Sequence, residues 1–193
     1  MTTITDRRPE LYRAFGHAAG IIAGVRPDQL AGPSPCAAWD VAELVDHLVF
    51  AARRVVAIGR GEAPAEAGTP HVGLDQAPAE LRRAGQEAES AWSDDSRLWM
   101  EVKMPWGESY PGSVLVDMYL TELATHTWDL AAATGQLERL DISLAAPVLA
   151  AAQGMLKPEY RNAEGSPFGP EVDPPEGATA WERVAAFMGR RPR

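Results

Sequence analysis

Apolar residues recur along this chain at steps of three and four, and this spacing constrains the fold more than any other feature of the sequence. In the first such segment, 6–25, the apolar positions are Leu11, Phe15, Ala18, Ile22 and Val25. Steps of three and four return to one face of an α-helix, so each segment carries a stripe that must be buried against other helices. The pattern therefore predicts a helical bundle.

Local start and stop signals divide the chain into several helices. Asp40 followed by Glu43 has the spacing of a capping box, Ser113 and Asp141 suit the N-cap position, and Gly135 suits the residue after a helix end. Together with the apolar stripes, these signals predict an all-α fold. The predicted helices span 6–25, 41–58, 77–92, 113–134, 142–156 and 179–188.

Two stretches depart from the helical spacing. Between 97 and 110, apolar and polar residues alternate and are followed by the turn Pro105-Trp106-Gly107, which predicts a small β-hairpin. The segment 157–178 contains five prolines and three glycines, too many for a packed helix. We expect a single domain over 1–193, in which this Pro/Gly-rich segment leads to a short C-terminal helix.

Composition excludes several classes of function. The chain has 18 Lys and Arg against 27 Asp and Glu, a net charge of −9, which argues against nucleic-acid binding. No run of about 18 apolar residues occurs and residues 1–8 do not resemble a signal peptide, so we expect a cytoplasmic protein that does not span a membrane. A lone cysteine, Cys36, excludes an internal disulfide and a cysteine-based zinc cluster. The histidines are His17, His47, His71 and His126.

The predicted fourth helix carries two carboxylates and an imidazole on one face. Glu122 and His126 are four residues apart, and Asp129 returns to within about 20° of Glu122 on the helical wheel. A Glu and a His one turn apart can bind one divalent ion together, but a metal site needs at least a third ligand from another element.

His47 is the candidate third ligand. It lies at the rim of the apolar stripe of the second helix, from which it can point into a core shared by facing helices. Glu43 lies one turn earlier and, like Asp129, can orient a ligand histidine or move a proton. The set His47, Glu122 and His126 suits Zn²⁺ and also Ni²⁺, Fe²⁺ or Mn²⁺.

Structural explanations for the same residues stay open at this point. Glu122 and His126 can be an ordinary surface pair worth about 0.2–0.5 kcal/mol, and His47 can be a partly buried histidine with no ligand. His17 and His71 are assigned no functional role. Cys36 is interpreted as a small buried apolar residue rather than a nucleophile.

Three segments together resemble a known family. They are 35–49 around Trp39-Asp40 and His47, 122–136 with its Glu-x-x-x-His motif, and the tail Phe168-Gly-Pro-Glu-Val172 with Phe187-Met-Gly-Arg190. The sequence resembles the small metal-binding proteins related to the N-terminal domain of mycothiol-dependent maleylpyruvate isomerase, in the DinB/YfiT-like superfamily. The resemblance implies a DinB-like up-and-down four-helix bundle with extra short helices, and related bundles often form homodimers.

The resemblance also implies a ligand set and a chemistry. The family's metal ligands fall on His47, Glu122 and His126, the metal is typically zinc, and characterised relatives use it with a low-molecular-weight thiol such as mycothiol. The isomerase has a further C-terminal domain, which we expect this chain to lack.

Three functions remain open from the sequence. The first is a metal- and thiol-dependent S-transferase or isomerase, whose partners are a small-molecule thiol and an electrophilic substrate. The second is a non-catalytic metal-binding stress or sensor module. The third is a metal-free helical scaffold in which the polar residues form a buried network.

Overall fold

The computed structural model describes residues 4–36, 39–64, 71–161 and 169–192, and this part of the chain is mostly helical. The predicted all-α bundle with a small two-stranded sheet is confirmed. The elements are α1 (Arg8–Ile22), α2 (Val41–Arg60), α3 (Ala77–Ala91), β1 (Glu101–Lys103), β2 (Ser109–Pro111), α4 (Gly112–Thr134), α5 (Ile142–Met155), α6 (Pro158–Arg161) and α7 (Ala180–Phe187).

The start of α2 is held by the capping box that the sequence predicts. Asp40 Oδ1 accepts from the Glu43 backbone N–H and Glu43 Oε2 accepts from the Asp40 N–H, both at 2.9 Å. The helix runs two residues beyond its predicted end, because the left-handed residue after it is Gly61 (φ 78°) rather than Gly59. This capping box positions both Trp39, directly before the cap, and His47, two turns into the helix.

Helices α1 and α2 each pack against both α3 and α4, and they contact one another much less. Helix α5 packs against the outer side of α4, and α7 packs against α5 and α4. Helix α4 is therefore enclosed by other helices, and even its polar residues Thr121, Thr125 and Asp129 are buried. In the described ranges no helix combines the length and apolar character needed to cross a membrane.

The hairpin is shorter than the alternation over 97–110 predicts. The Asp94 side chain accepts from the Ser96 N–H and starts a 3₁₀ turn over Asp95–Trp99, so the first part of the alternating segment is not a strand. Only three residue pairs form the antiparallel ladder between β1 and β2. Leu98 is nevertheless buried, although its backbone is in a 3₁₀ turn and not in a strand.

The Pro/Gly-rich segment contains one helical turn and otherwise no helix in its described residues. Helix α6 begins at Pro158, in the first helical position that proline favours, and α7 begins after Thr179, whose side chain accepts from the Glu182 N–H. Residues 162–168, including Phe168 of the tail motif, lie outside the described residues. The predicted C-terminal helix is confirmed over Ala180–Phe187.

Gly59 of α2 lies against the ring of Trp92 at the end of α3. A Cβ added at Gly59 would lie 2.4 Å from Nε1 of Trp92, a ring that is 1% exposed and donates to the Val55 carbonyl at 2.9 Å. We expect Gly59→Ala to lower the free energy of unfolding by about 1–3 kcal/mol, measured by chemical denaturation.

The matched control is Gly16→Ala in α1, where an added Cβ meets no atom of the described residues within 4 Å. That substitution should raise stability by up to about 1 kcal/mol through helix propensity. Equal stability of Gly59→Ala and the wild type would contradict the packing described for Trp92.

Candidate functional site

The predicted ligands of α2 and α4 meet where these two helices face each other. His47 Nε2 lies 2.9 Å from Glu122 Oε1. The His47 and His126 rings have centroids 4.9 Å apart and are nearly perpendicular, at 82°. The structure thus places two imidazoles and one carboxylate from two helices beside one another.

Trp39 covers both histidines. Its ring stacks on His47 at 4.2 Å between centroids and meets His126 edge-on at 5.2 Å. The Ser34 hydroxyl donates to the Trp39 carbonyl at 2.7 Å and holds the segment before α2 in place. Trp39 therefore packs on the candidate site.

Asp129 holds the far side of the His126 ring. Its side chain is 0% exposed, and its Oδ2 lies 3.1 Å from His126 Nδ1. Arg190 donates to the same carboxylate through Nε to Oδ1 at 3.0 Å and through Nη2 to Oδ2 at 2.7 Å. Burial would raise the pKa of Asp129, but these hydrogen bonds and positive charges outweigh it and lower the pKa. Because an ionised carboxylate only accepts, His126 donates to it through Nδ1, and in the neutral form of the ring the lone pair is then on Nε2.

Glu122 is also held in its ionised form. Burial would raise its pKa, but the hydrogen bond from His47 and the electrostatic influence of the His47, His126 and Arg54 side chains together lower it. One anionic oxygen donor therefore stands beside two imidazoles. In donor type and number, this arrangement fits a divalent ion with two histidine ligands and one carboxylate ligand.

A second group of donors competes for the same histidine. Among the described residues, donor atoms of Cys36, His126 and Asp129 lie within 4.8 Å of one another. However, both oxygens of Asp129 already accept from Arg190, so an ion there would compete with a guanidinium for the carboxylate. Among the residues that the structure describes, the donor atoms of His47, Glu122 and His126 do not form a group of this kind, so an ion bound by this trio would need these side chains to move closer together.

The remaining candidate residues lie elsewhere. The Glu43 carboxylate is engaged in the cap of α2, so of the two candidate orienting residues only Asp129 is placed on a histidine ring. His17 Nε2 accepts from the Asp141 N–H at 3.3 Å. His71 is 81% exposed and pairs with Asp46 at 3.0 Å.

Two residues of the site were not found by sequence reasoning. Cys36 has its sulfur near His126 and Asp129, and Arg190 is 61 residues from Asp129 in the chain. Arg190 belongs to the tail segment that carries the family resemblance, and this was the only signal available for it. A cavity of about 410 Å³ lies beside Trp39 and is lined by Ala31, Pro33, Ser34, Cys36, Trp39, Asp40 and Glu43.

Comparison with protein families matches residues 12–131, more than half of the 193 residues, to the mycothiol maleylpyruvate isomerase N-terminal domain. The chain belongs to this family. The matched region contains His47, Glu122, His126 and Asp129 and ends before Arg190.

Similar proteins of known sequence cover almost the whole chain. The uncharacterized proteins MT0763 and Rv0738 of Mycobacterium tuberculosis, from strains CDC 1551 and H37Rv, are each 37% identical to it over 182 residues. These alignments cover 94% of this chain and 96% of each relative.

Two solved structures have a similar fold. The crystal structure of mycothiol-dependent maleylpyruvate isomerase matches with a TM-score of 0.61 at 16% identity, over 86% of this chain and 72% of the isomerase chain. A mutant of the isomerase matches with a TM-score of 0.60 at 15% identity and the same coverage. At this identity the likeness concerns the fold, and it confirms the helical-bundle fold that the sequence resemblance implies.

The buried ion pair generates a prediction about stability. Asp129→Ala leaves the Arg190 guanidinium, which is 12% exposed, without its carboxylate. We expect the free energy of unfolding to fall by about 3–5 kcal/mol, because breaking a buried pair leaves an uncompensated charge. Chemical denaturation of the metal-free protein measures this loss.

Asp28→Ala is the matched control, because Asp28 pairs with Arg26 on the surface, where both side chains are mostly exposed. It should cost no more than about 1 kcal/mol. Equal losses in the two variants would show that Asp129 is not a compensated buried charge.

Proposed function

We propose that this protein binds one divalent metal ion through His47, Glu122 and His126 and uses it with a low-molecular-weight thiol in an S-transfer or isomerisation reaction. The observation that supports the metal site is the 2.9 Å approach of His47 to Glu122 with the His126 ring beside them. Zinc is the expected ion, and Ni²⁺, Fe²⁺ and Mn²⁺ suit the same ligands.

The thiol is proposed from the family of the chain and from the solved structures of similar fold. Its family is named after the N-terminal domain of mycothiol maleylpyruvate isomerase, and the solved structures of similar fold are those of the mycothiol-dependent isomerase. A divalent ion, when bound, lowers the pKa of a thiol ligand and stabilises the thiolate. An electrophilic small molecule would then be the second substrate.

The residues of this chain have separate tasks in the proposed reaction. Glu122 supplies the anionic ligand. Asp129 holds the His126 ring through Nδ1, so that Nε2 is the atom that would bind the metal. Trp39 covers both imidazoles and limits the access of water. The reacting sulfur is brought by the small-molecule thiol rather than by Cys36.

A metal-free scaffold is the second candidate, and one observation favours it. His47 with Glu122, and His126 with Asp129 and Arg190, form hydrogen bonds that need no ion. Such a network can stabilise a bundle core by itself. Metal content separates this candidate from the first.

We predict about one divalent ion per chain in protein purified without added chelator, measured by elemental mass spectrometry. His47→Ala and His126→Ala should each lose the ion, because the two ligands that remain in either variant do not make a site. His71→Ala is the matched control and should retain it, since His71 is exposed and pairs with Asp46. Wild-type protein that is metal-free and cannot be loaded would contradict the proposed site.

Cobalt substitution tests the thiol. We expect the Co²⁺ protein to show no sulfur-to-metal charge-transfer band until mycothiol is added, and to show one afterwards. Absence of the band after addition would favour a non-catalytic metal-binding module. A charge-transfer band that is present before mycothiol is added and disappears in Cys36→Ser would show that the ion is held by Cys36, His126 and Asp129.

A further inference from the structure

We propose that Arg190, from the segment after α7, is a positioning residue for His126 and acts on it through Asp129. The family match ends at residue 131, so this role lies outside the matched region. The functional meaning of the relay rests on the proposed metal-binding role of His126, whereas the hydrogen bonds themselves do not.

The backbone after α7 brings Arg190 to the site. The chain turns at Gly189, which has a φ of 80° and whose absent Cβ would lie 3.0 Å from the Pro170 carbonyl. The Arg190 N–H then donates to the Ala185 carbonyl at 2.8 Å. Because α7 packs against α4 and α5, this turn points the Arg190 side chain at the buried side of α4.

The guanidinium fixes the orientation of the Asp129 carboxylate. Nε and Nη2 donate to different oxygens of the carboxylate, and Nη1 donates to the Met188 carbonyl at 2.9 Å. Two parallel bonds from a planar donor prevent the carboxylate from rotating, which one bond would not do. Arg190 thereby connects the segment after α7 to α4.

The fixed carboxylate in turn selects the His126 tautomer. Oδ2 of Asp129 accepts from both Arg190 Nη2 and His126 Nδ1. Arg190 therefore fixes the position of the oxygen to which His126 donates. A carboxylate held in this place keeps the proton on Nδ1 and the lone pair on Nε2. Arg190 therefore prepares His126 as a ligand before any ion binds.

The first test needs no metal. In metal-free wild-type protein at about pH 8, long-range ¹H–¹⁵N NMR should show His126 as the Nδ1–H tautomer, with its signals identified by their loss in His126→Gln. Arg190→Gln should convert it to a mixture of tautomers, and Arg190→Lys should restore part of the preference by keeping the charge. The matched control is Arg183→Gln, because Arg183 is exposed on α7 and donates to the Ala178 carbonyl.

The second test is a double-mutant cycle on Zn²⁺ affinity, measured by competition with a chromophoric chelator. We expect Arg190→Gln and Asp129→Asn each to weaken binding by about 10-fold or more, as for other residues that orient a metal ligand. If Arg190 acts through Asp129, Arg190→Gln should add little in the Asp129→Asn background. Arg183→Gln should bind as the wild type does.

The outcomes are distinct. A folded Arg190→Gln variant that keeps the pure Nδ1–H tautomer, or fully additive losses in the cycle, would overturn the proposal. If Arg190→Gln does not fold, Arg190→Lys decides by the same two measurements: a wild-type tautomer and affinity would then contradict the need for the two-bond contact. Wild-type protein that binds no Zn²⁺ would refute the proposed function, and the tautomer measurement would still decide the role of Arg190.

Discussion

The charge of Asp129 has no access to water, and the structure around the candidate site depends on how that charge is compensated. A buried carboxylate is stable only with good partners, and Asp129 has the Arg190 guanidinium on one side and the His126 ring on the other. The packing of α7 against α5 and α4 brings Arg190 to this carboxylate. The negative charge also makes Nδ1 the nitrogen of His126 that donates to this carboxylate.

The site forms where the enclosed helix α4 meets the first half of α2. The capping box of α2 sets the position of both His47 and Trp39, and α4 supplies Glu122 and His126 one turn apart. Ligands on two packed helices are held more rigidly than ligands on loops, and the Trp39 ring limits the freedom of both imidazoles. The same side chains satisfy one another as hydrogen-bonded pairs, so the bundle can hold this geometry before an ion arrives.

Local sequence rules predict the helices and suggest three candidate ligands, but they do not predict the contacts between distant segments. Helical spacing places Glu122, His126 and Asp129 on one face, and the rim position of His47 suggests the third ligand. Nothing local indicates that Arg190 meets Asp129, because that contact depends on the packing of α7 and a left-handed glycine. The alternation over 97–110 overstates the hairpin for a similar reason, since the Asp94 cap turns part of it into a 3₁₀ helix. Glu43 has suitable spacing for two tasks, and the structure uses it in the cap.

X-ray absorption spectroscopy of the zinc-loaded protein without added thiol can test the proposal that His47, Glu122 and His126 bind one divalent ion. We expect a shell of nitrogen and oxygen ligands at about 2.0–2.1 Å with the outer scattering of two imidazole rings. A zinc–sulfur shell at about 2.3 Å would place the ion at Cys36 and refute the proposed ligand set.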